Sequence, residues 1–339
     1  MPAAPEPAAR PSQVASALAA NRVGVASVTF FVMSAVAPLT VVATVVTTGY
    51  ATTGLTGIPF AFLVIGAMLA LFSIGFVTMA PYVANAGAFY AYISRGLGRP
   101  MGVASSWLAV VIYNALQVAF YGTIGAAAAP LLHDWFGVEV AWWVIALVAW
   151  ALIALLGVQQ VDVNSKVLAV LLISEVVVTL VLCVANVIKP AGGTLTFDTL
   201  DPGNLFGPGV GAVLAVALLG FIGFESAVVF SEESKDPGRT VRRATFLSVG
   251  LIAGIYAFGS WAMSVATGPG HIVEAAKEQS TDLIFNLAQH NIGGAIVEVG
   301  RVLFVTSILA AALSFHNSAA RYMFAVGRSA VRSCRAPSG

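Results

Sequence analysis

The chain has 339 residues, of which 59% are hydrophobic and only 9% charged, with a formal net charge of +1 at pH 7. A soluble domain carries about 25% charged residues, so this composition excludes an ordinary water-soluble fold and indicates an integral membrane protein. The near-neutral balance leaves no basic surface for phosphates, which excludes a nucleic-acid partner.

In chain order, residues 1–22 are Pro/Ala-rich, lack the apolar centre of a signal peptide, and read as a disordered cytoplasmic tail. Eight apolar stretches follow that are long enough to cross a bilayer. They lie near Val23–Thr48, Ile58–Ala80, Met101–Leu132, Val140–Val158, Val167–Ile188, Val210–Phe230, Ala244–Ala266 and Ala295–Leu313. The first acts as an uncleaved signal-anchor. The second is expected to run on through Pro81 into an aromatic stretch ending at Arg95. Leu195–Phe206 reads as a loop, Ser231–Arg239 as a charged helix end followed by a Pro-Gly turn, and Thr281–Ala288 as a short surface helix. Of the 16 basic residues, all but Lys189, Lys277 and Arg301 fall on one side when the N-terminus is placed inside. The expected topology therefore has a cytoplasmic N-terminus. Cys183 and Cys334 are far apart and supply neither a disulfide framework nor a metal spacing.

The sixth stretch is interrupted by Gly220-Phe221-Ile222-Gly223-Phe224-Glu225 near its middle. Each glycine lowers helix stability by about 1 kcal/mol relative to alanine, and an ionisable group at membrane depth is costly and usually functional. A helix that opens there exposes N–H and C=O groups that lipid cannot satisfy, so they must line a polar cavity or hold a ligand. The first stretch holds a second candidate at Ser34-Ala35-Val36-Ala37-Pro38-Leu39-Thr40, because Pro38 removes a backbone donor. Taken alone, Pro38 is either a tolerated kink or a functional opening. Paired with the glycines, it matches inverted-repeat transporters, whose two halves carry interrupted helices at corresponding positions with the substrate between them.

Four further polar groups carry alternatives. Glu175 lies inside the fifth stretch, either as a proton-exchanging group or as a hydrogen-bonded structural acid. Glu225 is either a coupling group or a clamp on the opened helix. Asn114 and Gln117 share a helical face, as substrate contacts or as polar glue between helices. Glu298 and Arg301 are expected to pair locally, and His316 is read as a satisfied interfacial histidine.

Enzyme chemistry is not expected. His133, His271, His290 and His316 lack the spacing of a zinc protease helix. Gly96, Gly98 and Gly102 miss the dinucleotide fingerprint by one residue, and no Gly-x-Ser-x-Gly turn occurs. No cofactor and no metal is implied.

Gly223-Phe224-Glu225-Ser226, then Glu232-Glu233, Lys235-Asp236-Pro237 and Arg239, resembles the sixth-helix signature of the amino acid–polyamine–organocation (APC) permeases. Pro81, Gly87, Tyr90 and Tyr92 resemble the family's motif after the second helix. Trp107 to Asn114 is similar to its third helix, and Ser318, Arg321-Tyr322 and Gly327-Arg328 to the exit from its eighth.

The resemblance implies an all-α, LeuT-like five-plus-five inverted-repeat fold. About eight helices are present here, with helices one and six discontinuous. It places a permease domain at residues 23–327, and substrate between the openings of helices one and six, with helices three, eight and ten around it. The expected substrate contacts are Ser34, Ala37, Pro38, Leu39, Thr40, Asn114, Phe221, Ile222, Gly223 and Phe224, with Glu225 and Glu175 as coupling groups. Glu175 lies where some proton-coupled relatives carry a lysine. The family's glycine-rich first opening is here Ala37-Pro38-Leu39, and its aromatic gate position falls on Leu219, leaving Phe221 or Phe224 to substitute.

The implied activity is secondary active transport by alternating access, proton-coupled as in some of those relatives, and the partners are a small amino acid or amine, a proton as coupling ion, and the plasma membrane. Residues 328–339 form a polar tail that departs from the family pattern, so the chain is expected to lack helices nine and ten and not to transport alone. A substrate sensor, a channel-like relative or a non-functional fragment are the rival readings.

Overall fold

The computed structural model describes residues 24–79, 82, 88–159, 165–229 and 236–334. The described residues are almost wholly helical. The first apolar stretch forms α1 (Val25–Val36), a turn at Ala37, α2 (Pro38–Val41), a π-helical turn at Val42–Val46, and α3 (Thr47–Thr53). It ends at Gly54, whose left-handed backbone (φ 69°) closes the helix through a bond from its N–H to the Tyr50 carbonyl. α4 (Ile58–Thr78) follows with Pro59 in its first turn, where a missing N–H costs nothing. α5 (Ala88–Gly96), α6 (Arg99–Phe136), α7 (Trp142–Gln159) and α8 (Ser165–Ile188) complete the first half.

The expected loop at Leu195–Phe206 is built from short 3₁₀ turns at Asp198–Leu200 and Pro202–Asn204. α9 (Val210–Leu219) then stops, residues 220–225 form consecutive turns, and α10 (Ser226–Val229) resumes. Beyond it lie α11 (Pro237–Thr267), α12 (Ile272–Gln279), α13 (Leu283–Ile292) and α14 (Gly294–Cys334).

Among the described residues, six helices are apolar and long enough to cross a membrane, and Trp142–Gly157 and Val210–Leu219 are shorter apolar helices. These correspond to the eight expected stretches. Large apolar side chains also cover the outside, among them Leu71, Val118, Trp150 and Val170, each more than half exposed. Such a surface suits lipid, and the chain is a multi-pass membrane protein.

Several boundaries differ from expectation. α11 begins seven residues early (Pro237 rather than Ala244), because the Asp236 carboxylate accepts from the Arg239 N–H and Pro237 takes the first helical position. The expected Pro-Gly turn is therefore a helix start, stabilised by about 1 kcal/mol from the cap. α14 runs on from Leu313 to Cys334, since polar side chains alone do not stop a helix and no proline intervenes. The helix expected at Thr281–Ala288 is α13, and a further helix, α12, precedes it; the apolar faces of both (Ile272, Ala276, Leu283, Ile284, Phe285) are buried rather than on the surface. Glu298 and Arg301 do not form the expected pair. Arg301 instead meets Asp282 at 3.2 Å and donates to Asn286 at 3.1 Å, over the Phe285 ring, while Glu298 accepts from the Trp135 indole. The α13 connection folds back far enough to bring a longer-range carboxylate within reach. Pro81, Gly87 and Ser231–Lys235 lie outside the described residues.

The helices pack as two groups. α11 lies along α4 so closely that a Cβ on Gly66 would stand 2.6 Å from the Ala253 Cβ, and α9 joins them. α6 packs against α7 and α14. The broken first span and α8 run between the groups, and the site forms there.

Candidate functional site

The first opening follows from Pro38. Without an N–H, it leaves the carbonyl four residues back, that of Ser34, without its helical donor. Ala37 takes a left-handed backbone (φ 51°, ψ 74°), uncommon for alanine, which turns the chain between α1 and α2. The freed Leu39 N–H donates to Glu175 Oε1 at 2.9 Å. The same oxygen accepts from the Ser307 hydroxyl at 2.8 Å, and the Thr40 hydroxyl donates to Ser307 Oγ at 2.9 Å. Glu175 thus ties α2 to α8 and α14 from a buried position.

At the second opening the backbone bonds shorten to a three-residue reach, from Gly220 to Ala217, Phe221 to Leu218, Ile222 to Leu219 and Phe224 to Phe221. Gly223 has φ 113°, a region strained for any side chain. A Cβ there would lie 3.3 Å from Val36 Cγ2 and 3.4 Å from Ala35 Cβ, so the two openings abut. Glu225 Oε2 accepts from the Gly223 N–H at 2.8 Å, and the Tyr113 hydroxyl donates to Oε1 at 2.9 Å. The carboxyl therefore closes its own turn and ties it to α6.

Beside this junction is a cavity of about 230 Å³. The first span contributes Ala35, Val36, Ala37, Thr40, Thr44 and Thr48, α6 contributes Leu116, Phe120 and Thr123, and Val216, Leu219, Ile222 and Phe315 complete the wall. The π-helical turn at Val42–Val46 lies along it, and such turns recur at functional sites.

Of the residues singled out from sequence, Ala37, Thr40 and Ile222 line the cavity, and Gly223 forms the contact between openings. Pro38 and Leu39 are buried behind the wall, and Leu39 acts through its N–H. The Ser34 hydroxyl is buried with no hydrogen-bond partner among the described residues. Phe221 is fully buried against Phe62 and Tyr256, and Phe224 against Phe72 and Phe76, so neither ring reaches the cavity. The aromatic walls are Phe120 and Phe315, 5.6 Å apart. Asn114 is exposed, and its amide donates to the Val110 carbonyl of its own helix. Gln117 is buried and meets Tyr121 and His316, each at 3.3 Å.

Tyr113, Ser307, Thr44, Thr48 and Phe120 were not singled out. The buried side of α6 runs Ser106, Val110, Tyr113, Gln117, Ile124, a helical spacing that puts Tyr113 inward and Asn114 outward. Thr40, Thr44 and Thr48 recur every four residues and share a side of the first span. Ser307 has no local signal, since its partners are distant in sequence.

The Amino acid permease family profile matches residues 23–331. The low-affinity putrescine importer PlaP of Escherichia coli (strain K12) is 25% identical over 262 residues, covering 73% of this chain and 54% of that protein. The branched-chain amino acid permease BcaP of Lactococcus lactis is 23% identical over 291 residues, covering 80% and 61%. A probable GABA permease of Pseudomonas aeruginosa is 26% identical over 195 residues, covering 55% and 40%. The chain thus spans between two and three fifths of the length of these relatives. Matched along most of its own length, with both helix openings inside the matched region, the chain belongs to the amino acid permease family of the APC superfamily.

Proposed function

We propose that the protein is a secondary active permease that carries an amino acid or related amine across the plasma membrane, with its N-terminus in the cytoplasm. The observation that carries this reading is the abutment of Gly223 on Ala35 and Val36 beside the cavity. Two opened helices bring backbone ends of opposite polarity to one place. Carbonyl ends attract an ammonium, and N–H ends a carboxylate. The names of the relatives, which cover putrescine, branched-chain amino acids and GABA, support the same substrate range.

In this reading the chain follows the five-plus-five inverted repeat, with the first and sixth spans as equivalent members. The group of α4, α9 and α11 rocks with the first span against α6, α7 and α14, opening the cavity to each side in turn. Glu175 and Glu225 are the coupling groups. Each ties an opening to the other group, and a proton on either carboxyl changes what it can accept. Proton coupling follows from that placement rather than from any bound ion.

Equilibrium binding of radiolabelled amino acids and amines to the purified protein tests the site, and Glu225→Ala is expected to abolish it. Uptake of the bound compound by cells expressing the intact gene, compared with cells lacking it, tests transport. Binding without gene-dependent uptake would favour a substrate sensor.

A further inference from the structure

The chemistry of the cavity wall narrows the substrate. None of the described residues lining the cavity has an ionisable side chain. The two buried acids of the openings are turned into the protein: Glu175 accepts from Leu39 and Ser307, and Glu225 from Gly223 and Tyr113. Apart from the threonines Thr40, Thr44, Thr48 and Thr123, the wall is apolar, with Val45, Leu116, Phe120, Val216, Leu219 and Phe315 among its residues.

We propose that the cavity takes a neutral amino acid with an apolar side chain and rejects diamines and amino acids with charged side chains. The deepening rests on reading the cavity as the substrate site. The openings meet one ammonium and one carboxylate through backbone ends. A diamine buries its second ammonium against hydrocarbon, where an unpaired ion costs several kcal/mol. A glutamate or lysine side chain meets the same wall without a counter-charge. A leucine or valine side chain fills it.

The test is competition for radiolabelled leucine on the purified protein by valine, alanine, lysine, glutamate and putrescine. Leucine is expected to bind at least tenfold more tightly than alanine, the scale on which apolar pockets read added methylenes. Putrescine, lysine and glutamate are expected to be weaker than leucine by a hundredfold or more. In Phe120→Ala the ratio of leucine to alanine affinity falls by about tenfold, with circular dichroism and the melting temperature checking that the variant is folded; an unchanged ratio overturns the part given to the apolar wall. Putrescine, lysine or glutamate competing as well as leucine overturns the proposed class and leaves the permease reading standing. Failure of every compound to bind overturns both.

Discussion

The two helix openings solve the same problem from opposite sides. In the first span, the N–H freed at Leu39 is met by a carboxylate from another helix, Glu175 on α8, with Ser307 of α14 on the same oxygen. In the sixth, the carboxylate belongs to the opening itself. Glu225 accepts from Gly223 two residues back and reaches outward to Tyr113 on α6. One acid sits on the surrounding helices and holds the opening, while the other sits on the opening and holds its surroundings. Any motion that parts the first span from α8 breaks the Glu175 bonds, whereas the Gly223–Glu225 turn can travel as a unit and release only Tyr113. On the proposed reading the Glu175 contacts must break as the spans part, while the Glu225 turn moves intact and exchanges only its bond to Tyr113.

The sharpest way to break this comparison is Glu225→Ala. It strands the Gly223 N–H and the Tyr113 hydroxyl in a buried place, each at about 1–3 kcal/mol. A loss of substrate affinity of about a hundredfold or more is expected in an equilibrium binding assay. Wild-type affinity would remove Glu225 from the site.

Next in size is Glu175→Gln, which keeps an acceptor for Leu39 but cannot exchange a proton. Affinity is expected to hold within about tenfold, while the dependence of binding on pH flattens. A profile unchanged from wild type would assign the proton elsewhere. The smallest effect belongs to Tyr113→Phe, which removes one hydrogen bond and leaves the turn closed by Gly223. A decrease of about tenfold, consistent with the loss of one buried hydrogen bond, is expected. A loss as large as that of Glu225→Ala would make the tie to α6, not the turn, the structural element.

Much of this was legible in the sequence because its causes are local. Pro38 removes a helical donor and Gly220 and Gly223 loosen a helix, so both openings have local causes legible as a pair, although proline alone does not decide it, since Pro130 stands inside the unbroken α6. The substrate-facing set was less legible. Asn114 and Tyr113 differ by one residue, about 100° of helix, and only packing decides which points inward. Phe221 and Phe224 carry the expected aromatic character but spend it on α4 and α11 rather than on the cavity. The partners of Glu175 were invisible, because Leu39 and Ser307 lie 136 and 132 residues away along the chain. Arg301 shows the same limit. Its neighbour at helical spacing is Glu298, yet the fold of α13 brings Asp282 closer.

The central claim is that the two openings together hold one small zwitterion. An experimental structure of the protein with leucine present tests it most directly. The account predicts ligand density in the cavity beside the junction, against Ala37, Thr40 and Ile222, with its side chain toward Phe120 and Phe315. Density bound away from both openings, or first and sixth spans running unbroken through Ala37 and Gly223, would contradict it.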